Sequence, residues 1–91
     1  MNSDRPATAI VAALRKAGCS VSYLDPQGFS YAKGLPDLLV GVRGRTFLLE
    51  VKRDTKAKRK PSQEKWHTEW RGAPVHLVYD IISAFSAVGL T

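Results

Sequence analysis

The sequence predicts a three-layer α-β-α sandwich of the α/β (α+β) class, with a mixed sheet and the element order α-β-β-β-α-β-α. Three observations lead there. Two neighbouring stretches, residues 36–42 and 46–52, are apolar at consecutive rather than alternate positions, so both faces of their sheet need cover. Segments with helical periodicity lie before and after that pair. The chain has 91 residues without repeats or a low-complexity linker, which fits one domain spanning 1–91.

The first element is a helix over 7–17, "ATAIVAALRKA", with Ile10, Val11 and Leu14 on one face and Arg15 and Lys16 near its C-terminal end, where cations suit the helix dipole. Pro6, following Asp4, suits the start, and Gly18 suits the C-cap. "SVSYL" at 20–24 alternates as a strand does and runs into the turn signal "DPQG". "GFSYAKGL" at 28–35 has two glycines and no helical period, so it reads as a connection. The two apolar strands follow, then the charged, loop-like "RDTKAKRKP". "SQEKWHTEWR" at 62–71 gives a helix with Gln63, Trp66, His67 and Trp70 on one face, closed by Gly72. Its tryptophans are expected to pack on the sheet rather than stack on bases. "PVHLVY" at 74–79 is a further buried-type strand, and 80–88 a short helix ending at Gly89.

Composition narrows the function. Hydrophobic residues make up 44% and charged residues 24%, which is globular rather than disordered. A net charge of +6 favours a polyanionic partner, nucleic acid before an anionic membrane surface. The single Cys19 forms no internal disulfide and reads as a small, partly buried apolar residue, in keeping with a reducing compartment. The longest apolar run is far too short to span a bilayer and the N-terminus lacks a signal-peptide layout, so a soluble, cytoplasmic protein is expected. His67 and His76 have no partners at metal-ligand spacing; no P-loop, dinucleotide fingerprint or Ser/His/Asp arrangement occurs. His67 is expected on the helix surface.

The informative stretch is "GLPDLLVGVRGRTFLLEVK", residues 34–52. A two-residue turn at Arg43-Gly44, the shortest hairpin connection, pairs 42 with 45 and so on outward to 37 with 50. Asp37 and Glu50 then oppose one another, with Cβ atoms roughly 4.5–5.5 Å apart on one face, and Lys52 joins that face by period-2 alternation. Carboxylates that close repel unless a cation lies between them or one takes a proton. One or two carboxylates plus waters and phosphate are what Mg²⁺ accepts. The alternative is an ion pair at a strand end, with Asp37 a turn residue after Pro36.

These residues resemble a known family. "GLPDLLVG", then "FLLEVKR", then "SQEKW" are similar to the PD-(D/E)xK nuclease superfamily, and more closely to the small virus-type replication-repair nuclease domain (VRR-NUC) found alone in phages and bacteria. Pro36-Asp37 matches the PD element, Glu50-Val51-Lys52 the ExK element, and Gln63 the glutamine opening the next helix; the likeness covers about residues 7–90. It implies a restriction-endonuclease-like fold and metal-dependent hydrolysis of DNA. Asp37 and Glu50 would hold Mg²⁺ or Mn²⁺ with the Val51 backbone carbonyl as a further ligand. Lys52 would orient or help deprotonate the attacking water, and Gln63 would hold the water, the phosphate or Lys52 in place. Many relatives supply another acid from the first helix, which here has none; Asp4, just before it, is the nearest candidate.

Lys52 to Lys60 holds six cations, and Arg53, Lys56, Lys58, Arg59 and Lys60 are expected to contact phosphates. Lys33 lies in the glycine-flanked loop before the PD element and could approach DNA there, with Gly34 permitting close backbone approach. Arg43 and Arg45 sit at the hairpin tip, away from the acids. The leading reading is a metal-dependent DNA endonuclease, one that selects branched or junction DNA by implication of the resemblance and for which a homodimer would suit two strands. The alternative is a non-catalytic nucleic-acid-binding module on the same fold, which has no need of two facing acids. An interaction domain that binds no nucleic acid makes both charge and motif coincidental.

Overall fold

A computed structural model describes residues 5–24, 34–54 and 61–90. Its elements follow the expected order: α1 (Arg5–Lys16), β1 (Ser20–Tyr23), β2 (Leu38–Val42), β3 (Arg45–Val51), α2 (Pro61–Glu69), β4 (Val75–Val78) and α3 (Ile81–Ala87). The strands form one mixed sheet in the order β1-β2-β3-β4. β1, β2 and β3 pair antiparallel, and β3 pairs parallel with β4. A parallel pair needs a crossover, and α2 supplies it.

Helix α1 forms because Ala7, Ile10, Val11 and Leu14 recur on one face; all four are buried. It ends in a Schellman motif, with the Cys19 amide bonded to the Leu14 carbonyl at 2.9 Å and the Gly18 amide to the Arg15 carbonyl at 3.1 Å. This brings Cys19 into the core as a buried apolar group, and burial pushes its thiol pKa up. Helix α3 starts at an Asp80–Ser83 capping box that the sequence pattern had not drawn attention to. Together α1 and α3 cover the sheet face carrying Val21, Leu38, Val40, Leu49 and Val78.

The other face carries Leu39, Thr46 and Leu48 opposite Trp66 of α2 and Trp70 just past its end, across a cleft of about 400 Å³. Here the structure amends the expected packing. α2 has no buried residue, Leu39 and Trp70 remain exposed, and the two indoles stack on each other with centroids 4.7 Å apart. The tryptophans face the sheet without closing on it. His67 is half-buried rather than on the surface, edge-on to Trp66 at 5.8 Å. None of the described helices is long and apolar enough to cross a membrane.

Candidate active site

The hairpin register places the site. β2 and β3 pair from Val42↔Arg45 to Leu38↔Leu49, as a two-residue turn at Arg43-Gly44 requires. The ladder stops one pair short of Asp37 and Glu50. The Asp37 amide bonds instead to the Leu49 carbonyl at 3.1 Å, and its own carbonyl accepts from the Leu24 amide at 3.0 Å. Its carboxylate Oδ2 accepts from the Val51 amide at 2.7 Å. Asp37 is therefore pinned by three backbone contacts at the end of the sheet and does not form a regular cross-strand pair with Glu50.

Glu50 belongs to the last full turn of the β3 pleat, on the face toward α2, and is 1% exposed. Gln63, in the first turn of α2, donates from Nε2 to Glu50 Oε2. Lys52 Nζ donates to Gln63 Oε1 at 2.8 Å and lies 3.2 Å from Glu50 Oε2. Lys52 follows β3, with its amide bonded to the Val78 carbonyl at 2.9 Å, and its side chain is 12% exposed. The three side chains close a triangle in which Glu50 Oε2 is shared by two donors. Glu50 Oε1 is buried with no hydrogen-bond partner among the described residues.

Electrostatics mark the same spot. Burial raises the Glu50 pKa and the nearby Asp37 charge raises it further, while bonds to Lys52 and Gln63 pull it down. Burial likewise raises Asp37, against the Val51 amide and the Lys52 charge. Two carboxylates and one ammonium leave a net negative charge in a site shielded from water. A buried carboxylate oxygen without a partner is costly, and a cation would relieve both the cost and the repulsion. Two carboxylates suit a hard oxygen-seeking ion. Asp37 and Glu50 thus fit a divalent cation such as Mg²⁺ or Mn²⁺. Among the described residues no group of three or more His, Cys, Asp and Glu converges, so the acids in hand are two.

Gly34 has a role the sequence reading assigned elsewhere. Its backbone approaches α2, not an outside ligand. With φ at 91°, an added Cβ would stand 2.1 Å from the Ser62 carbonyl oxygen and 3.0 Å from Gln63 Cα. The glycine before the PD element lets the first turn of α2 seat against the chain, and that turn carries Gln63. The glycine was visible in the sequence, but its neighbour was not.

The structure brings together Asp37, Glu50, Val51, Lys52 and Gln63. Arg53 is exposed just beyond them. Lys33, Lys56, Lys58, Arg59, Lys60 and Asp4 lie outside the described residues.

No family model matches the chain, and no curated protein does. Among solved structures, a VRR_NUC domain is similar to it, with a TM-score of 0.74 and 29% sequence identity over 98% of this chain and 96% of that one.

Proposed function

The chain is a VRR-NUC-type domain, a nuclease-type fold, and from that premise we propose that it is a divalent-metal-dependent deoxyribonuclease that hydrolyses phosphodiester bonds at Asp37, Glu50 and Lys52. The observation that carries this is Glu50: buried, held through Oε2 by Gln63 and Lys52, its Oε1 without a partner among the described residues, and its charge opposed by Asp37. Glu50 and Asp37 would hold Mg²⁺ or Mn²⁺, with the Val51 carbonyl as a further ligand, and the ion would supply Lewis acidity toward the phosphate and acidify a water.

The chain's own groups do the rest. The Val51 amide fixes the Asp37 carboxylate from behind, so the acid is aimed before substrate arrives. Gln63 bridges Lys52 and Glu50, which sets the Lys52 ammonium where charge grows on the reacting phosphate. Gly34 seats the helix turn that presents Gln63. A substrate phosphate is itself anionic, so a site with net negative charge accepts it only with a cation present. A module built for binding alone gains nothing from such a site.

The test is cleavage of labelled linear, flapped and four-way-junction DNA with Mg²⁺ or Mn²⁺, run for wild type, Glu50→Gln and Lys52→Ala with binding measured alongside. Metal-dependent cutting, lost in both variants while binding survives, is the expected result, and the preferred substrate reports whether branched DNA is selected. Wild type that binds but cuts nothing under either metal would leave the non-catalytic binding module standing.

A further inference from the structure

The tip of the β2–β3 hairpin carries a cation that the acid site does not use. Arg43 has φ 54°, the only non-glycine residue with positive φ among those described, and Gly44 follows at φ 76°. Positive φ at both central residues is the requirement of a type I′ turn, whose favoured residues are Asn-Gly and Asp-Gly. An arginine there bears the left-handed penalty without the short polar side chain that offsets it in Asn. Its side chain makes no hydrogen bond or ion pair with a described residue. Strain kept at an exposed charge that has no hydrogen-bond or ion-pair partner among the described residues points from the backbone to a use for it.

A groove of about 450 Å³ lies beside that turn, lined by Ser20, Gly41, Gly44 and Thr46 together with Arg43 and Arg45, and among the described residues by no acid. Ser20, Gly41 and Thr46 are direct neighbours across three strands. They share the sheet face of Leu48 and Glu50, since alternate residues of β3 point the same way. Thr46 also lines the apolar cleft under Trp66 and Trp70, so acids, cleft and groove form one continuous face. The Arg45 guanidinium is engaged elsewhere, 5.4 Å from the Phe47 ring centroid, which leaves Arg43 as the groove's cation.

We infer that this groove is a second contact for the nucleic-acid backbone, a phosphate subsite with Arg43 as its cation and the Ser20 and Thr46 hydroxyls beside it. The inference rests on the nuclease reading and adds to its substrate footprint. Thr46 and Glu50 are four residues apart on one strand, roughly 14 Å at about 3.4 Å per residue. Measured along the axis of a duplex, that is about four base pairs at about 3.4 Å each. The groove therefore holds a phosphate well away from the reacting one, so it acts on affinity and not on the chemical step.

The test uses the full chain and a fluorescently labelled branched DNA in EDTA, titrated at several salt concentrations. Arg43→Asn places the favoured residue in the turn, so its melting temperature should rise while DNA affinity falls and the slope of log K against log salt drops by about 1. Arg71→Asn removes an exposed charge at the end of α2 and should keep the wild-type slope. With metal, Arg43→Asn should raise KM and leave kcat unchanged. A wild-type slope in Arg43→Asn, an equal loss in Arg71→Asn, or a fall in kcat at unchanged affinity overturns the subsite. Wild type that neither binds nor cuts DNA, in EDTA or with metal, overturns both proposals; wild type that binds with the Arg43 effect but never cuts overturns the nuclease reading alone.

Discussion

Substituting Gly34 by alanine should dislodge Gln63 without touching any charged group of the site. The new methyl would stand 2.1 Å from the Ser62 carbonyl oxygen, and ordinary contact begins at 3.4 Å, so one side retreats by about 1.3 Å. The Lys52–Gln63 bond is 2.8 Å and ceases to be a hydrogen bond near about 3.6 Å, so a retreat of that size breaks it. Left-handed backbone adds about 1–2 kcal/mol for a residue with a Cβ, and overpacking about 1–3 kcal/mol more. For a domain of this size each kcal/mol moves the melting temperature by about 4–8 °C. Gly18→Ala is the matched control: φ is 98° there and nothing lies within 4 Å of the added Cβ. It carries the backbone penalty alone, so the difference between the two variants isolates the Ser62 contact. Thermal unfolding by circular dichroism reads the stability. DNA cutting, at a temperature where both variants are folded, should fall by about 100-fold in Gly34→Ala, the usual order for a misplacement of about 1 Å. Equal melting shifts in the two variants, or wild-type cutting by Gly34→Ala, would refute the seating of α2 on Gly34.

Glu50→Gln keeps the shape and removes the charge, so it should abolish the rise in melting temperature that Mn²⁺ gives wild type, a gain of about 2.7 kcal/mol at a hundredfold excess over Kd; an undiminished rise would place the metal elsewhere. In the metal-free chain, burial raises Asp37 and Glu50 above their ordinary 3.8 and 4.5, so the folded state holds more protons than the unfolded one. Stability should then fall as pH climbs from those ordinary values through the raised ones and level off above. Denaturant titrations in EDTA read that slope, which should be shallower in Glu50→Gln. Asp80 has the opposite sign: the Ser83 amide lowers its pKa from 3.8, so its contribution is present above 3.8 and fades as pH falls through the lowered value. Asp80→Ala should lower the melting temperature by uncapping α3, while Asp80→Asn, which can still accept from the Ser83 amide, should retain most of it.

Much of the hairpin was legible because two constraints agree there. Arg43-Gly44 admits a two-residue turn, and that turn alone sets which residues face each other down to Leu38 and Leu49. What the pattern could not convey is where the ladder ends. Asp37 leaves it because its side chain takes the Val51 amide and its own amide takes the Leu49 carbonyl, a choice made by a side chain that alternation cannot represent. The Gly34–Ser62 approach was hidden for another reason. It joins residues 28 apart in a sequence that is silent about distance, and a glycine's lack of a side chain records permission without naming a neighbour. Helix α2 was also expected to close the second face of the sheet, since Leu39 and Leu48 are as apolar as the core residues beside them. Composition does not say how closely a helix docks, and this one leaves Leu39 and Trp70 exposed.

That loose docking and the buried acid are linked. On the α1 and α3 side, Leu38, Leu49 and Val78 are fully buried, and this face stabilises the fold by burial of apolar area. On the other side α2 buries no residue of its own, so it is held largely by its first turn: Ser62 against Gly34, and Gln63 between Lys52 and Glu50. The contacts that fasten the helix are therefore the same ones that position the site. Whatever neutralises Glu50 removes a repulsion with Asp37 and at the same time weakens its bonds to Lys52 and Gln63, the triangle to which α2 is tied. A helix with an apolar seal of its own would be insensitive to the charge of Glu50. This one is not, and the cost of burying the acid is carried on the face that the core does not depend on.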